Sequence, residues 1–263
     1  MMTAYELAKD GLKVAVFDRG QPGMEASWAA GGILSSMRPW SENPASFELS
    51  EQGKLLFPEL VEELKTLSGV DPEWVQSGLI IMNRSHKEKV CEWAALNGRK
   101  IEPVSNVDKP DLLLPDFAVL LPDIYQLRPP RLIAALTQSL QSCGVKVYEN
   151  TEITGVKITN GQFQYIESGS RQFSASAVII SAGAWSSGLF AGHDSSVSIR
   201  PVHGQMLCLE PNKKLSSAMV LDGDHYLIPR LDGRVLIGST MEERGFNKNM
   251  TDTAKQELLA WAD

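Results

Sequence analysis

Cysteine is scarce in this chain. Cys91, Cys143 and Cys208 are the only three among 263 residues, and no two form a C-x-x-C. An odd, widely spaced set excludes a disulfide framework and fits a reducing compartment. Histidine is almost as scarce: His86, His193, His203 and His225 show no metal-ligand spacing, which argues against zinc. No apolar run approaches the ~18 residues of a membrane span. Residues 1–10 carry Glu6, Lys9 and Asp10 where a signal peptide needs an uncharged core. The expected location is the cytoplasm. Basic charge is also lacking: 25 Lys and Arg stand against 32 Asp and Glu, for a net charge of −7. Nucleic acid and anionic membranes need clustered Lys and Arg, so neither is expected as a partner. No Ser-His-Asp set or paired carboxylate is apparent, and no residue is assigned as a catalytic acid, base or nucleophile. There is no internal repeat and no low-complexity linker.

What is present is an ordinary globular composition, 43% hydrophobic and 22% charged, long enough for one large domain or two intertwined ones. Met1–Lys9 reads as a helix closed by Gly11. Val14–Phe17 reads as a strand buried on both faces of a parallel sheet, and Asp18 ends it. Helix, glycine, strand and acid in this order form the back half of a βαβ unit, in which the acid accepts hydrogen bonds from a ribose. An acid after a strand is also a common turn residue.

Ser27-Trp28-Ala29-Ala30-Gly31-Gly32-Ile33 follows. Its lack of side-chain bulk suits close approach of backbone N–H groups to a pyrophosphate or a flat ring, and equally suits a tightly packed helix start. Ala177–Ser181 reads as another buried strand. It runs into Ala182-Gly183-Ala184-Trp185, with Trp185 opening a helix.

Between these blocks the pattern predicts helices at 47–67, 87–96, 131–142 and 251–262. The first has Leu49, Leu56, Leu60, Leu64 and Leu67 at helical spacing. Strands are predicted at 78–82 and 145–148, in a meander at 152–158, 162–166 and 171–174, and at 205–209, 225–229 and 235–238. Residues 103–122 read as proline-rich and irregular, and 123–127 as extended. Parallel-type strands interspersed with antiparallel stretches predict two domains, each made from more than one segment.

The blocks VAVFDRG, EASWAAGGIL, RPPRL, SAGAWS, RPVHGQM and YLIPRLDGRVLIGSTMEERGF, in this order, resemble the flavin-dependent D-amino acid oxidase family. The branch most resembled is the glycine oxidases linked to thiamine biosynthesis. The resemblance implies an α/β chain (α+β overall): a Rossmann-like FAD-binding domain, 1–72 and 129–197, interleaved with an antiparallel-sheet substrate domain, 73–128 and 198–263. It implies FAD as cofactor, bound non-covalently. Asp18 would bind the adenosine ribose with Arg19 beside it. Ser27, Ala30, Gly31, Gly32 and Ile33 would line the pyrophosphate and flavin, and Ile153 would hold the adenine through its backbone. Ala182, Gly183 and Trp185 would close over the cofactor. Tyr226 would hydrogen-bond the substrate carboxylate, and Met241 would pack near the substrate. Loops around 37–50 and 219–226 would read the substrate side chain.

The implied reaction is oxidation of glycine or a small amine or D-amino acid. Hydride passes from the substrate to the flavin, and oxygen is the electron acceptor. A quinone-linked D-amino acid dehydrogenase and a non-catalytic remnant acting as an interaction module are the alternatives. The family often forms homo-oligomers. His203 is read as a surface or loop histidine without a catalytic role, and Arg230 as structural rather than a substrate anchor.

No G-x-G occurs in the chain. Counting back from Asp18, the last glycine of a G-x-G-x-x-G would fall just before Met1. The family's C-terminal region, with its substrate-binding arginine, is not found either. The chain is therefore expected to be a fragment without the first strand and phosphate loop, carrying little bound flavin when expressed alone.

Overall fold

The structure is a computed structural model that describes residues 1–35, 38–105, 109, 111–190, 198–213 and 215–262. His193, the expected domain limits at 197 and 263, and part of the 37–50 loop lie outside the described residues. The chain is a mixed α/β protein with Rossmann-like and antiparallel parts. Its helices are α1 (Met2–Lys9), α2 (Ala26–Ala29), α3 (Pro44–Ser68), α4 (Arg84–Leu96), α5 (Pro129–Ser142), α6 (Ser186–Leu189) and α7 (Asp252–Ala262). Its first eight strands are β1 (Ala15–Phe17), β2 (Ile33–Leu34), β3 (Val75–Gln76), β4 (Leu79–Ile81), β5 (Glu102–Pro103), β6 (Val119–Leu121), β7 (Tyr125–Gln126) and β8 (Lys146–Tyr148). The remainder are β9 (Gly155–Thr159), β10 (Gln162–Ser168), β11 (Arg171–Phe173), β12 (Met206–Leu209), β13 (Met219–Asp222), β14 (His225–Pro229) and β15 (Val235–Gly238). No helix is long and apolar enough to cross a membrane among the described residues.

The chain divides into two compact units, each built from three segments. The first comprises 1–28, 136–203 and 242–248, and the second 29–135, 204–241 and 249–263. Residues 29–72 thus group with the second unit.

In the first unit, β1 runs parallel to β8, with Phe17 opposite Tyr148. Those two rings stack at 4.6 Å and 3°, and Phe173 of β11 tilts against both. Aromatic packing at the strand ends fixes where the chain leaves β1. The antiparallel meander β9–β10–β11 completes the unit's strands. Two expectations are corrected here. β1 is not buried on both faces: Ala15 is exposed, and Val16 and Phe17 are only half-buried. Residues 177–181 form no strand. They have no ladder partner among the described residues, and Ile179 is 58% exposed. Trp185 ends a short 3₁₀ turn, Gly183–Trp185, that leads into α6.

The second unit holds a seven-stranded sheet in the order β12–β15–β14–β13–β4–β6–β5, antiparallel except for β13 beside β4. Leu79, Ile81, Met219, Leu221 and Ile228 bury one face under α4, and Val235 and Ile237 pack the other against Leu258 of α7. A three-stranded sheet β2–β7–β3 joins this unit. Residues 103–122 are not wholly irregular: β6 is regular because it pairs with the buried strand β4, and β5 pairs on the far side of β6. Residues 219–226 are likewise strand more than loop, since β13 is a central strand.

Helix α3 starts where the Asn43 side chain accepts the Ala45 N–H, with Pro44 in its first turn, and ends at Gly69 in the left-handed conformation. Its expected apolar stripe is buried at Leu60 and Leu64, but Leu49 and Leu56 are exposed.

Candidate functional site

The first unit carries Asp18, Arg19, Ser27, Ile153, Ala182, Gly183 and Trp185. Asp18 sits directly after β1, where its N–H donates to the Tyr148 carbonyl (3.0 Å) and its carbonyl accepts from Thr151 (2.7 Å). Its Oδ1 accepts the Gly20 N–H at 2.9 Å. Asp18 is half-buried and makes no salt bridge among the described residues, though it interacts electrostatically with the Met1 ammonium. Ile153 lies between Thr151 and Thr154, and its backbone N–H and C=O have no partner among the described residues. A backbone edge left open in this way suits an adenine-like heterocycle.

Arg19 points elsewhere. Its guanidinium carbon stacks 3.5 Å from the Trp185 ring centre, and Nη2 pairs with Glu25 at 2.9 Å. Lys248 also pairs with Glu25 and lies 5.4 Å from the same indole, while Phe246 stacks on Trp185 at 5.1 Å. The hydrogen bond from Lys248, then that from Arg19, holds the Glu25 carboxyl below its ordinary value. Ser27 is exposed, Ala182 is half-buried, and Gly183 adopts φ +53° at the head of its turn.

The second unit carries Ala30, Gly31, Gly32, Ile33, Tyr226 and Met241. Ala30 is exposed. Gly32 has φ +72°, and a Cβ there would stand 2.1 Å from the Leu127 carbonyl oxygen. A Cβ at Gly31 would stand 2.8 Å from Ile228 Cδ1, 3.7 Å from Tyr226 Cε2 and 3.9 Å from Met206 Cε. The glycine pair is therefore required by the unit's own packing. Ile33 pairs with Gln126 in β2–β7. Tyr226 lies on β14 opposite Gly238, its hydroxyl hydrogen-bonded to Ser239. Burial raises the phenol above its ordinary value, and the Ser239 bond opposes that shift. Met241 stands apart from these neighbours at 83% exposure.

A profile of FAD-dependent oxidoreductases matches residues 1–263. The chain belongs to that family. This oxidoreductase is 34% identical over 268 residues to a glycine oxidase of Pseudomonas putida, covering all of the chain and 73% of the relative. It is 29% identical to a glycine oxidase of Geobacillus kaustophilus, covering 97% of the chain and 71% of that protein. The solved glycine oxidase of Geobacillus kaustophilus superposes with a TM-score of 0.90 at 28% identity, over 98% of the chain and 73% of the other.

FAD is the family's cofactor, and the residues present fit it at two places. The Asp18 carboxylate and the open Ile153 backbone suit an adenosine. The bulk-free Gly31-Gly32 backbone, whose Gly32 N–H has no acceptor among the described residues, suits a flavin acceptor atom.

Two residues with a site role were not read from the sequence. Gly238 was counted only as a strand residue, although an isolated glycine ending an apolar strand signals close approach of another group. Gln126, a polar residue before the RPPRL block, is 4% exposed and gives no local signal of its burial. Two other readings are refined. His203 lies in a loop segment, as one of its two readings has it, but is partly buried: its side chain is 10% exposed, and its backbone bridges to Glu242. Arg230 bonds to carbonyl groups and an amide rather than to a carboxylate.

Proposed function

We propose that this oxidoreductase oxidatively deaminates glycine or a small amine or D-amino acid, with oxygen as electron acceptor and hydrogen peroxide as product. The observation that carries the reading is that the Tyr226 ring (Cε2) lies 3.7 Å from where a Cβ on Gly31 would stand. The residue expected to hold the substrate carboxylate thus lies beside the segment expected to line the flavin, within one unit.

The chemistry supplied by FAD when bound is two-electron acceptance from the substrate Cα–H. The chain's own residues bind and orient. The Tyr226 hydroxyl donates to the substrate carboxylate from a partly desolvated position, which strengthens the bond. The Gly31-Gly32 backbone would lie against a flavin, and Asp18 with Ile153 would hold an adenosine. Met241, from the surface of its unit, contributes an apolar wall once substrate is present. No side chain needs to remove a proton from carbon. The imine product hydrolyses in water.

The domain assignment that goes with this reading is FAD binding by 1–72 and 129–197, and substrate binding by 73–128 and 198–263. We propose further that the enzyme is cytoplasmic and homo-oligomeric and serves thiamine biosynthesis.

The test is titration of the purified chain with FAD, followed by assays with glycine, sarcosine and D-alanine. The expected result is peroxide formed in step with oxygen consumed. Substrate oxidation coupled to a quinone but not to oxygen would make it a dehydrogenase. Failure to bind FAD at any concentration would make it a non-catalytic remnant.

A further inference from the structure

Arg230 is a buried cation of the second unit, at 8% exposure. It stands at the end of β14, where its N–H donates to the Arg234 carbonyl (2.8 Å) and its carbonyl accepts from Gly233 (3.1 Å). Its guanidinium makes no ion pair among the described residues. Nη1 donates to Gln126 Oε1 (2.7 Å) and to the Leu127 carbonyl (3.0 Å), and Nη2 donates to the Gly31 carbonyl (2.7 Å). Gln126 is itself held, since its Nε2 donates to Ser77 Oγ (2.6 Å) and to the Pro229 carbonyl (3.0 Å). The Leu127 N–H returns to the Gly32 carbonyl at 2.9 Å.

We infer that Arg230 is a positioning residue that holds and polarises the Gly31-Gly32 peptide. The inference rests on the reading of Gly31-Gly32 as the flavin-facing segment. The Gly31 carbonyl and the Gly32 N–H belong to one peptide unit. A cation on the oxygen withdraws electron density through the amide and strengthens the N–H as a donor. That N–H has no acceptor among the described residues, so its strengthened bond is directed to a ligand. The regular ladder bond from Gly32 N–H to the Leu127 carbonyl is missing, and Arg230 takes up that carbonyl instead.

Charge matters as well as shape. Burial first, and then the nearby Arg128, lowers the Arg230 pKa to about 10, with Glu73 and Asp232 opposing. The side chain therefore stays cationic at neutral pH. A planar fork reaches three acceptors at fixed angles, which the single ammonium of a lysine does not match.

The test compares wild type with R230K, and with Q126M, which removes one of the three acceptors and leaves the side chain that matters in place. Two measurements are made on each full chain. The first is amide hydrogen exchange at residues 30–34, which needs no flavin. Exchange there is expected to rise at least about tenfold in R230K and less in Q126M, with β12 and β15 unchanged. The second is FAD titration with the absorbance spectrum of the saturated protein. R230K is expected to bind FAD about tenfold or more weakly, and to shift the flavin band at saturation.

Lower thermal stability with unchanged exchange at 30–34 and an unshifted flavin band would reduce Arg230 to a structural residue and overturn the inference. If wild type binds no FAD, the reading of the segment fails and the polarising role falls with it. The exchange data then still decide whether Arg230 positions the segment. Should R230K fail to fold, unchanged exchange and affinity in Q126M overturn the inference by themselves.

Discussion

Gly238 lies directly across the β14–β15 ladder from Tyr226, and a Cβ placed on it would stand 2.8 Å from both Cζ and Oη of that tyrosine. Met206 Cγ, on the other side, would be equally close at 2.8 Å. The phenol occupies space that exists because residue 238 has no side chain. The hydroxyl's position, and its bond to Ser239, depend on that vacancy.

Gly238→Ala should therefore displace the Tyr226 ring rather than a flexible side-chain tip. Overpacking of this kind costs roughly 1–3 kcal/mol. The expected outcome is a lower thermal midpoint together with a raised KM for glycine. An unchanged KM would separate Tyr226 from substrate binding.

Tyr226→Phe removes only the hydroxyl. A hydrogen bond to a charged group is worth about 1.5–3 kcal/mol, so KM should rise roughly tenfold to a hundredfold with little change in stability. Steady-state kinetics with peroxide detection read this directly. A KM within about twofold of wild type would assign the carboxylate to another residue.

Gly32→Ala tests the packing of the small-residue segment. The added Cβ would meet a backbone carbonyl, Leu127 O, at 2.1 Å, and the residue has φ +72°. Neither contact relaxes cheaply, and the strain alone is of order 1–3 kcal/mol. Urea denaturation should show a clear drop in midpoint. Gly11→Ala makes a useful comparison, because φ is also positive there (+81°) but a Cβ would meet nothing within 4 Å.

Asp18→Asn keeps an acceptor for the Gly20 N–H but removes the charge that faces a ribose hydroxyl. FAD affinity should fall roughly tenfold or more, as measured by quenching of flavin fluorescence. Equal affinity would return Asp18 to the role of a turn residue.

The pH dependence follows from Glu25. Its carboxyl lies below the ordinary glutamate value, first through Lys248 and then Arg19. A carboxyl depressed in the folded state contributes stability above its unfolded pKa and loses it as pH falls through the folded one. The thermal midpoint should therefore decline as pH drops below about 4.5, and less steeply in Glu25→Gln. The effect should shrink in high salt, because the pair is partly exposed.

Much of the local structure was legible because its signals are local. Gly11 and Gly144 end α1 and α5 because left-handed backbone after a helix favours glycine. The apolar runs at Leu79–Ile81, His225–Pro229 and Val235–Gly238 are strands as the pattern predicts. Asp18 follows its strand for the same reason: strand and turn are written within a few residues of each other. The stripe on α3 was misleading in its first half, because helical spacing shows which face is apolar and not whether anything covers it.

The sequence alone determined the family, carried by an ordered set of short blocks from VAVFDRG to GSTMEERGF, and it determined most helices and strands. Only the tertiary structure decided that 177–181 has no ladder partner among the described residues, that β13 is central, and that Arg230 spends its guanidinium on Gly31, Gln126 and Leu127. Arg230 and Gly31 are 199 positions apart. A hydrogen bond over that separation leaves no trace in local composition, because it exists only when strands from distant segments are laid side by side.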